Sequence, residues 1–595
     1  MSKLTNNISI LTIALFMMFA IASQATAGGT LYVDDDAPAA GDGAIWDTAY
    51  RFLQDALTDA AGGGISEIHV AQGTYQPDRD EANPDGTGNR EATFHLLNGV
   101  ALMGGYAGLG AKDPNTRDIE LYETILSGDL LGNDEPDFVN NDENSYHVTM
   151  GSDTDNTTLL EGFTITAGNA NGEGQNERGG GFYASPTDAT IIQCKFETNF
   201  CNLLGGGLYS LDGSPVIINS TFLNNKAGDG NPADGGGAAF RFDSFGAPTI
   251  SGCNFIGNSA TNVGGGLEFL GSFEDGVIIT NCAFEGNMVN GPSVQALGGG
   301  GIGIFPANGI MQILNCTFTN NSVNNPNESF AALGAGLVLI GSEGKVFNCD
   351  FRGNSAGGLL GGFGGAVHVQ GSGSEFVNCL VVSNSADFGG GSSLLGTTSY
   401  IDCTIVGNSA TRLGGAAHSL GGAGILTNCI LWDNGLEPIV DAGSGVTTVN
   451  HSDFQGGWTG KGSNNIDLDP MFVDPVNGDY SLLANSPCID AADSSAVPED
   501  IDIDLDGNPR FLNDPNTPDT GQGPCPIVDM GAYEFQVGTS DCCTWDLDGS
   551  GSVDTGDLLE LFAQWGTDGT ADFDGDGTVN TVDLLILFAN WGLCG

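Results

Sequence analysis

Basic side chains are scarce in this chain. Lys and Arg number 15 against 74 Asp and Glu, which gives a formal net charge of −59 over 595 residues. A charge of this size repels nucleic acid and anionic membrane surfaces at long range, so we expect neither as a partner. Glycine reaches 95 residues without the triplet period of collagen, and an apolar fraction of 40% argues against disorder.

Long apolar runs are lacking after the first 22 residues. The run at 8–22 follows Lys3 and precedes Ala25, Thr26 and Ala27, which is the pattern of a secretory signal peptide cleaved after Ala27. The run is about 15 residues long, whereas the alternative, an uncleaved membrane anchor, needs about 20. We therefore expect residues 1–27 to be removed and the mature protein to be secreted, extracellular or at the cell surface, with no membrane insertion.

A short motif recurs along the middle of the chain, as CNFIGNSA at 253–260, CDFRGNSA at 349–356 and CTIVGNSA at 403–410. It belongs to a series of units spaced 24 to 34 residues apart, each with an asparagine five positions after its first residue. The first residues of these units are Cys194, Ser220, Cys253, Cys282, Cys316, Cys349, Cys379, Cys403 and Cys429. Periods in this range are typical of solenoids, propellers and repeat arrays.

The content of each unit favours a stack of β-coils. Short β-branched runs alternate with glycine clusters and turn residues, and no helical period is present. Equivalent residues of stacked coils lie about 4.8 Å apart, so each inward residue must tolerate a copy of itself above and below. We predict an inert interior cysteine ladder, stacked Phe or Ile side chains two positions later, and a column of left-handed, hydrogen-bonded asparagines at a bend.

These coils resemble the right-handed parallel β-helix superfamily that includes pectate lyases. The pairing of GGAV (364–367) with FxxN (Phe351 to Asn354, Phe255 to Asn258) resembles the repeat of polymorphic outer-membrane proteins. The predicted fold is mainly β, a right-handed parallel β-helix solenoid with caps at both ends. We assign 28–150 to the N-terminal cap and first strands, with a helix within 47–64. The coils span 151–460, and a closing module spans 461–537.

The C-terminus carries two twelve-residue segments of the calcium-loop type, DLDGSGSVDTGD at 546–557 and DFDGDGTVNTVD at 572–583. Each places oxygen-bearing side chains at positions 1, 3, 5, 9 and 12 and glycine at position 6, where the loop turns sharply. Each leads into an apolar, helix-like segment, LLELFAQWG or LLILFANWG. We therefore predict that residues 541–595 form a small α-helical domain that binds two calcium ions.

This module resembles a type I dockerin. The resemblance implies a cohesin-like protein partner, contacted around loop positions 10 and 11, although Thr555-Gly556 and Thr581-Val582 depart from the common Ser-Thr type. A calcium-stabilised tail without that partner is the alternative. The implied ligands, with backbone carbonyls offered by Ser552 and Thr578, are Asp546, Asp548, Ser550, Ser552, Asp554 and Asp557 in the first loop and Asp572, Asp574, Asp576, Thr578, Asn580 and Asp583 in the second.

One column of strand residues is a candidate site on the coils. Its members are the fifth residues counted from the glycine clusters, together with Arg241, which lies two positions beyond the fifth residue Ala239. Their neighbours, such as Leu208 and Val367, are apolar, so alternation predicts that the column faces outward. Tyrosines stack on sugar rings, and His, Glu and Arg bind or transfer protons. The candidate residues are Tyr183, Tyr209, Arg241, Glu268, His368 and His418. An ordinary solvated strand face is the alternative.

The predicted function is that of an exported β-helix protein that binds polysaccharide or a surface partner and is attached through the dockerin-like module. The alternative implied by the superfamily is a polysaccharide lyase or glycoside hydrolase. A glycosidase needs two convergent carboxylates, and the sequence indicates no such pair on neighbouring coils. The basic residues of the coils are also scattered. A structural role without a ligand is the third possibility.

Overall fold

The structure is a computed structural model of the whole chain. It describes residues 28–229, 231–244, 246–272, 276–291, 297–305, 310–326, 330–371, 373–435, 437–514, 516–536, 545, 547, 552–567 and 569–593. The segment in which the signal peptide is predicted, 1–27, lies outside this part. The chain divides into two compact units, one of Met1–Asp229 with Ala233–Asn254 and the other of Gly230–Pro232 with Phe255–Gly595.

The first unit is built from parallel strands that recur once per coil in four sheets, which we label A to D in chain order. Sheet A contains Gly29–Val33, Ile65–Ala71, Ala101–Tyr106, Leu159–Glu161, Thr190–Ile192, Val216–Ile218 and Thr249–Ser251. Sheet B contains Gly73–Tyr75, Thr124–Ser127, Thr164–Thr166, Lys195–Glu197 and Thr221–Leu223. Sheet C contains Asn169–Ala170, Phe200–Cys201 and Lys226–Ala227, and sheet D contains Phe94–His95, Thr149–Met150, Phe182–Ala184, Leu208–Leu211 and Ala238–Phe242.

The second unit has the same four-sheet coil. Sheet A contains Ile278–Thr280, Ile310–Leu314, Glu343–Phe347, Ser374–Val377, Thr397–Ile401, Ala423–Thr427 and Val446–Asn450. Sheet B contains Ala283–Glu285, Thr317–Thr319, Asp350–Arg352, Leu380–Val382, Thr404–Val406, Ile430–Trp432 and Asp453–Phe454. Sheet D contains Leu267–Gly271, Ile302–Phe305, Leu337–Ile340, Val367–Gln370, Ser392–Leu394, Ala417–Leu420 and Ile439–Ala442.

Sheet C of the second unit has two strand positions in several coils. The first position contains Ser259–Ala260, Met288–Asn290, Ser322–Asn325, Ser355–Gly358, Ser385–Phe388 and Ser409–Leu413, and the second contains Leu297–Gly298, Ala332–Leu333 and Gly362–Phe363. The strand Asn254–Ile256 spans the boundary between the two units. Because each strand pairs in parallel with its equivalent one coil along the chain, both units are parallel β-helices.

The predicted interior ladders are confirmed within each unit. The repeat cysteines are buried, and Cys316 and Cys349 form no disulfide. Phenylalanine rings two positions later stack face to face, with centroids 5.0 Å apart for Phe284 and Phe318 and 4.5 Å apart for Phe318 and Phe351. Identical side chains stack in this way because parallel strands keep their register from coil to coil.

The asparagine column is also present, but its predicted conformation is wrong. Asn354 is fully buried, and its neighbours along the column hydrogen-bond to it as predicted. The left-handed residue is instead the one before the asparagine, for example Asn320 with φ 55° and Ser383 with φ 56°. A second left-handed residue precedes each repeat cysteine, such as Asn348 with φ 52°. The two bends therefore bracket each short strand of sheet B.

Shorter elements accompany the coils. Helix α1, Leu53–Ala61, confirms the helix predicted within 47–64, and it buries Leu53, Ala56, Leu57 and Ala60 in the first unit. The 3₁₀ turns are Trp46–Thr48, Gly174–Glu177 and Ser494–Ala496. In the closing module, Phe472–Asp474 pairs antiparallel with Asp479–Leu482.

The closing module covers the outward face of sheet B in the second unit. Tyr480 and Tyr533 pack with Leu380, Val382 and Val406 of that sheet. The guanidinium of Arg510, which is completely buried, lies 3.2 Å from the Oδ1 atom of Asp402. A buried charge needs a partner, so this ion pair and the apolar contacts fix the module against the flank of the coils.

The C-terminal module contains two nine-residue helices, α2 at Thr555–Ala563 and α3 at Thr581–Ala589. A short antiparallel pair, Ser552–Val553 with Gly592–Leu593, closes it. Its buried core is small and consists of Val553, Leu561, Ala571, Val579 and Leu587. Each helix begins where the corresponding calcium-type loop ends, as the sequence predicts.

Candidate functional site: the C-terminal loops and their helices

The loop 572–583 brings its acidic side chains together. Carboxylate oxygens of Asp572, Asp574 and Asp576 all lie within 4.8 Å of one another. The Oδ2 atom of Asp572 accepts a hydrogen bond of 2.7 Å from the backbone N–H of Gly577, which occupies loop position 6 with φ 88°. Only glycine adopts this conformation without strain, which explains its place in the loop.

The last acidic residue of this loop is fully buried and joins the loop to helix α3. Asp583 accepts hydrogen bonds from the backbone N–H groups of Phe573 and Asn580, each at 2.7 Å. Burial alone would raise the pKa of Asp583, but the backbone hydrogen bonds outweigh it and hold the pKa below its ordinary value. Asp583 is thus an anion, and the oxygen-only donor set of this loop fits a calcium ion.

The loop 546–557 shows the same connection at its end. The Oδ1 and Oδ2 atoms of Asp557 accept hydrogen bonds from the backbone N–H groups of Leu547 and Asp554, at 2.5 Å and 2.7 Å. The predicted ligands Asp546, Asp548 and Ser550, and the side chain of Ser552, lie outside the described residues. The described half of this loop therefore matches its counterpart at Asp583.

Two equivalent apolar faces project from the helices of the module. Leu559 and Leu585, 26 residues apart, are 69% and 63% exposed. Behind them, Phe562 and Phe588 are each 49% exposed, and Trp565 and Trp591 are each 43% exposed. We call these six side chains the aromatic face. The LLxLFAxWG segment is repeated in the sequence. The spacing of its apolar residues does not show, however, which of them are buried in the small core and which are exposed to solvent.

The predicted surface column on the coils is wrong. Tyr209, Glu268 and His368 are each only 2% exposed, His418 is 3% exposed and Tyr183 is 9% exposed. Arg241 alone of the six reaches solvent, and its Nε atom lies 3.1 Å from Asp243 Oδ1. Three members belong to the first unit and three to the second, so the column does not form one site within either unit.

The cause of this burial is the chain that precedes each glycine cluster. In the first unit, Leu204 packs against Tyr183, Tyr209 and Ala239. In the second unit, the ring of Phe388 lies 5.3 Å from that of His418. Strand alternation correctly places these residues opposite the interior, but the preceding segment folds back over them and excludes water.

Burial also changes the acid–base properties of the column. The pKa of His368 falls to about 4 and that of His418 is lowered, because the charged imidazolium loses its hydration. For the same reason the pKa of Tyr209 rises to about 12. These groups are neutral near pH 7, and since they are buried a polysaccharide in solution does not reach them in this conformation.

Acidification is expected to destabilise the second unit through His368. The pKa of His368 in the folded chain, about 4, lies below its value in the unfolded chain. The contribution of His368 to the free energy of unfolding is therefore fully present above about pH 6.5 and is lost as the pH falls through about 4. This shift corresponds to about 3 kcal/mol. The variant His368→Val carries at this position the residue of the adjacent coil, Val338. Between pH 7.5 and pH 4.5, the free energy of unfolding measured in urea should fall by about 2–3 kcal/mol less for this variant than for the unsubstituted protein. An equal loss in both proteins would contradict the prediction.

Comparisons with known proteins give only distant likenesses. No protein-family model and no curated protein matches the chain. The structure of pectate lyase Pel9A is similar at 13% identity and a TM-score of 0.31, over 86% of this chain and 97% of that chain. PfbA, a surface adhesin of Streptococcus pneumoniae, is similar at 11% identity and a TM-score of 0.27, over 71% and 93%. At these scores neither likeness bears on function.

The strand pairing of the chain itself therefore defines its class, a parallel β-helix protein with a small helical module at the C-terminus. Among the described residues, no helix combines the length and apolar character that crossing a membrane requires.

Proposed function

We propose that this is an exported β-helix protein attached at the cell surface or in the extracellular space by calcium-dependent docking of its C-terminal module to a cohesin-like domain. The observation that supports this proposal is the aromatic face. Leaving two tryptophans, two phenylalanines and two leucines in water does not stabilise the module by itself. On each helix the two rings lie side by side, with centroids 5.7 Å apart for Phe562 and Trp565 and 5.5 Å apart for Phe588 and Trp591, and exposed apolar patches are typical of protein interaction sites. Trp is also among the residues that contribute most to binding.

The surroundings of the aromatic face indicate the chemistry of the partner. Residues 541–595 include no Lys or Arg, while their Asp and Glu residues are spread through both loops and helices. We therefore expect the partner to offer an apolar surface with a basic rim, since opposite charges steer association. The positions implied by the dockerin resemblance, Thr555-Gly556 and Thr581-Val582, lie in the first turns of α2 and α3, where Val582 is 47% exposed.

The β-helix would then present a surface to polysaccharide or to another partner. In the second unit, the outward side chains of sheet A form a polar column in which Gln312, Lys345 and Glu375 are aligned in register. Beside it, exposed asparagines hydrogen-bond along the coils, for example Asn315 Nδ2 to Asn281 Oδ1 at 3.3 Å. Amides and charged groups repeated at the coil spacing are suited to the hydroxyls of a repeating glycan.

The alternative, a lyase or glycoside hydrolase, would require an exposed set of basic and acidic groups. The column that was the candidate for this role is buried. Incubating the mature chain with neutral and anionic polysaccharides in calcium decides between the two functions. Retention without new unsaturated or reducing ends supports binding, whereas release of such ends would establish an enzyme.

Replacing both tryptophans of the aromatic face is expected to weaken cohesin binding at least 100-fold. Trp565→Ala with Trp591→Ala removes two large apolar contacts, each of which typically contributes about 2 kcal/mol or more at an interface. Binding is measured by calorimetry against a panel of cohesin domains with calcium present. Val476→Ala is the matched control, because Val476 is 92% exposed and lies in the closing module. Unchanged affinity of a correctly folded double variant would exclude this face as the docking site.

A further inference from the structure

A second group of acidic residues lies in the loop 128–148 of the first unit. This loop connects Thr124–Ser127 of sheet B to Thr149–Met150 of sheet D. Carboxylate oxygens of Asp129, Asp134 and Glu143 all lie within 4.8 Å of one another. We propose that these three carboxylates, together with the side-chain oxygen of Asn144, bind a calcium ion that orders this loop on the coils. Neither the repeat pattern nor the C-terminal loops predict this site.

The buried amide of Asn144 offers an oxygen atom to a cation at the cluster. Asn144 is 1% exposed, and its Nδ2 atom donates to Asp134 Oδ2 at 2.7 Å and to Ala167 O at 2.8 Å. Its Oδ1 atom is buried beside the cluster, where no group of the described chain donates to it. An unsatisfied buried carbonyl of this kind costs about 1–3 kcal/mol, whereas a calcium ion would satisfy it.

Glu143, a member of the cluster, likewise has a buried oxygen atom that is available to a cation. Its Oε1 atom is buried and has no hydrogen-bond donor among the described residues. Asp129, in contrast, accepts from the backbone N–H groups of Gly132 and Asn133 at 2.6 Å and 3.2 Å through Oδ1 and from that of Asp134 at 3.1 Å through Oδ2. The backbone thus orients one carboxylate, while oxygens of two neighbouring side chains remain available to a cation.

No cationic side chain of the described chain lies within ion-pairing distance of the three carboxylates, although the charge of Arg90 interacts with that of Glu143 at longer range. The nearby Arg90 donates instead to Asn144 O at 2.6 Å and Asn169 O at 3.0 Å.

The identity of the ion follows from the donors. All four proposed ligand atoms are hard oxygens, which suit calcium, and none is the sulfur or imidazole nitrogen that zinc prefers. The remaining calcium ligands would be backbone carbonyls or water.

The position of the site indicates its role. A hydrogen bond from the side chain of Asn144 connects the cluster to the backbone of Ala167. The side chain of Arg90 donates hydrogen bonds to the backbone carbonyls of Asn144 and of Asn169, the first residue of sheet C. Calcium would therefore connect the loop 128–148 to the adjacent coils of the first unit. Without it, three repelling carboxylates would favour release of the loop.

Hydrogen exchange of the full mature chain tests the proposal. In 2 mM calcium, peptides covering 128–148 are expected to exchange at least tenfold more slowly than in EGTA, with the largest change at the amides of Gly132, Asn133 and Asp134. Asp134→Asn should abolish the calcium effect in these peptides. Asp137→Asn is the matched control, since Asp137 is exposed in the same loop and its φ of 63° suits asparagine. A double variant, Asp572→Asn with Asp574→Asn, should retain the effect at 128–148.

Two results would overturn the proposal. Exchange at 128–148 that is equal in calcium and EGTA, while C-terminal peptides respond, would show that the cluster holds no calcium. A calcium effect that persists in Asp134→Asn would place the ion elsewhere. Because the C-terminal peptides report separately, a failure of this site is distinguishable from a failure of the docking module.

Discussion

Replacing Asn354 by alanine is expected to destabilise the second unit by about 3–5 kcal/mol, because several buried polar groups lose their partners together. The Oδ1 atom of Asn354 accepts from the N and Nδ2 atoms of Asn321, both at 3.0 Å. Its Nδ2 atom donates to Phe318 O at 2.8 Å and to Asn384 Oδ1 at 2.9 Å. Alanine makes none of these bonds, and Asn354 is fully buried, so the groups that it satisfied are left without their partner.

The matched control is Asn324→Ala in the neighbouring coil. Asn324 is exposed and makes a single weak contact, from its Nδ2 atom to Asn290 Oδ1 at 3.4 Å. Its replacement should change stability by less than about 0.5 kcal/mol. Both variants are compared in urea unfolding followed by far-ultraviolet circular dichroism in constant calcium. A difference below 1 kcal/mol between them would show that the asparagine column does not stabilise the coils as we infer.

Removing calcium from the C-terminal module is expected to unfold it and to abolish cohesin binding. Asp572, Asp574 and Asp576 bring three negative charges within 4.8 Å, and the small core of the module offers little apolar burial to offset their repulsion. Calcium binding therefore contributes directly to folding. We expect EGTA, or Asp572→Asn with Asp574→Asn, to speed proteolysis within 552–593 at least tenfold.

The control for this experiment is Glu560→Gln. Glu560 is exposed on helix α2 and outside both loops, so its replacement removes a charge without removing a ligand. It should keep the calcium dependence of the original chain. Protease resistance of 552–593 that is the same with and without chelator would contradict the calcium assignment. If the module without calcium resists the protease but no longer binds cohesin, the metal would be needed for docking and not for the folding of the module.

The repeat by itself determined the interior of the coils. The cysteine, phenylalanine and asparagine positions recur at fixed phase, and parallel stacking brings each residue into contact with its equivalent in the next coil. The ladder through Phe318 and Phe351 could therefore be predicted without knowing what covers the outer surface of the coils. The approach of Asp572, Asp574 and Asp576 could also be predicted, because these residues lie within five positions of one another in a single loop. Helix α1 was predictable for the same local reason.

Contacts between distant residues decided the rest. Alternation placed His418 and Tyr209 outside the interior, but whether water reaches them depended on segments that fold back over sheet D. Asp129 and Glu143 meet because a loop closes, and Arg510 meets Asp402 because the closing module packs on the flank of the coils. Periodicity records which face of a strand a residue occupies. Only the packing of chain from elsewhere determines whether that face is covered, and hence whether its side chains are available for function.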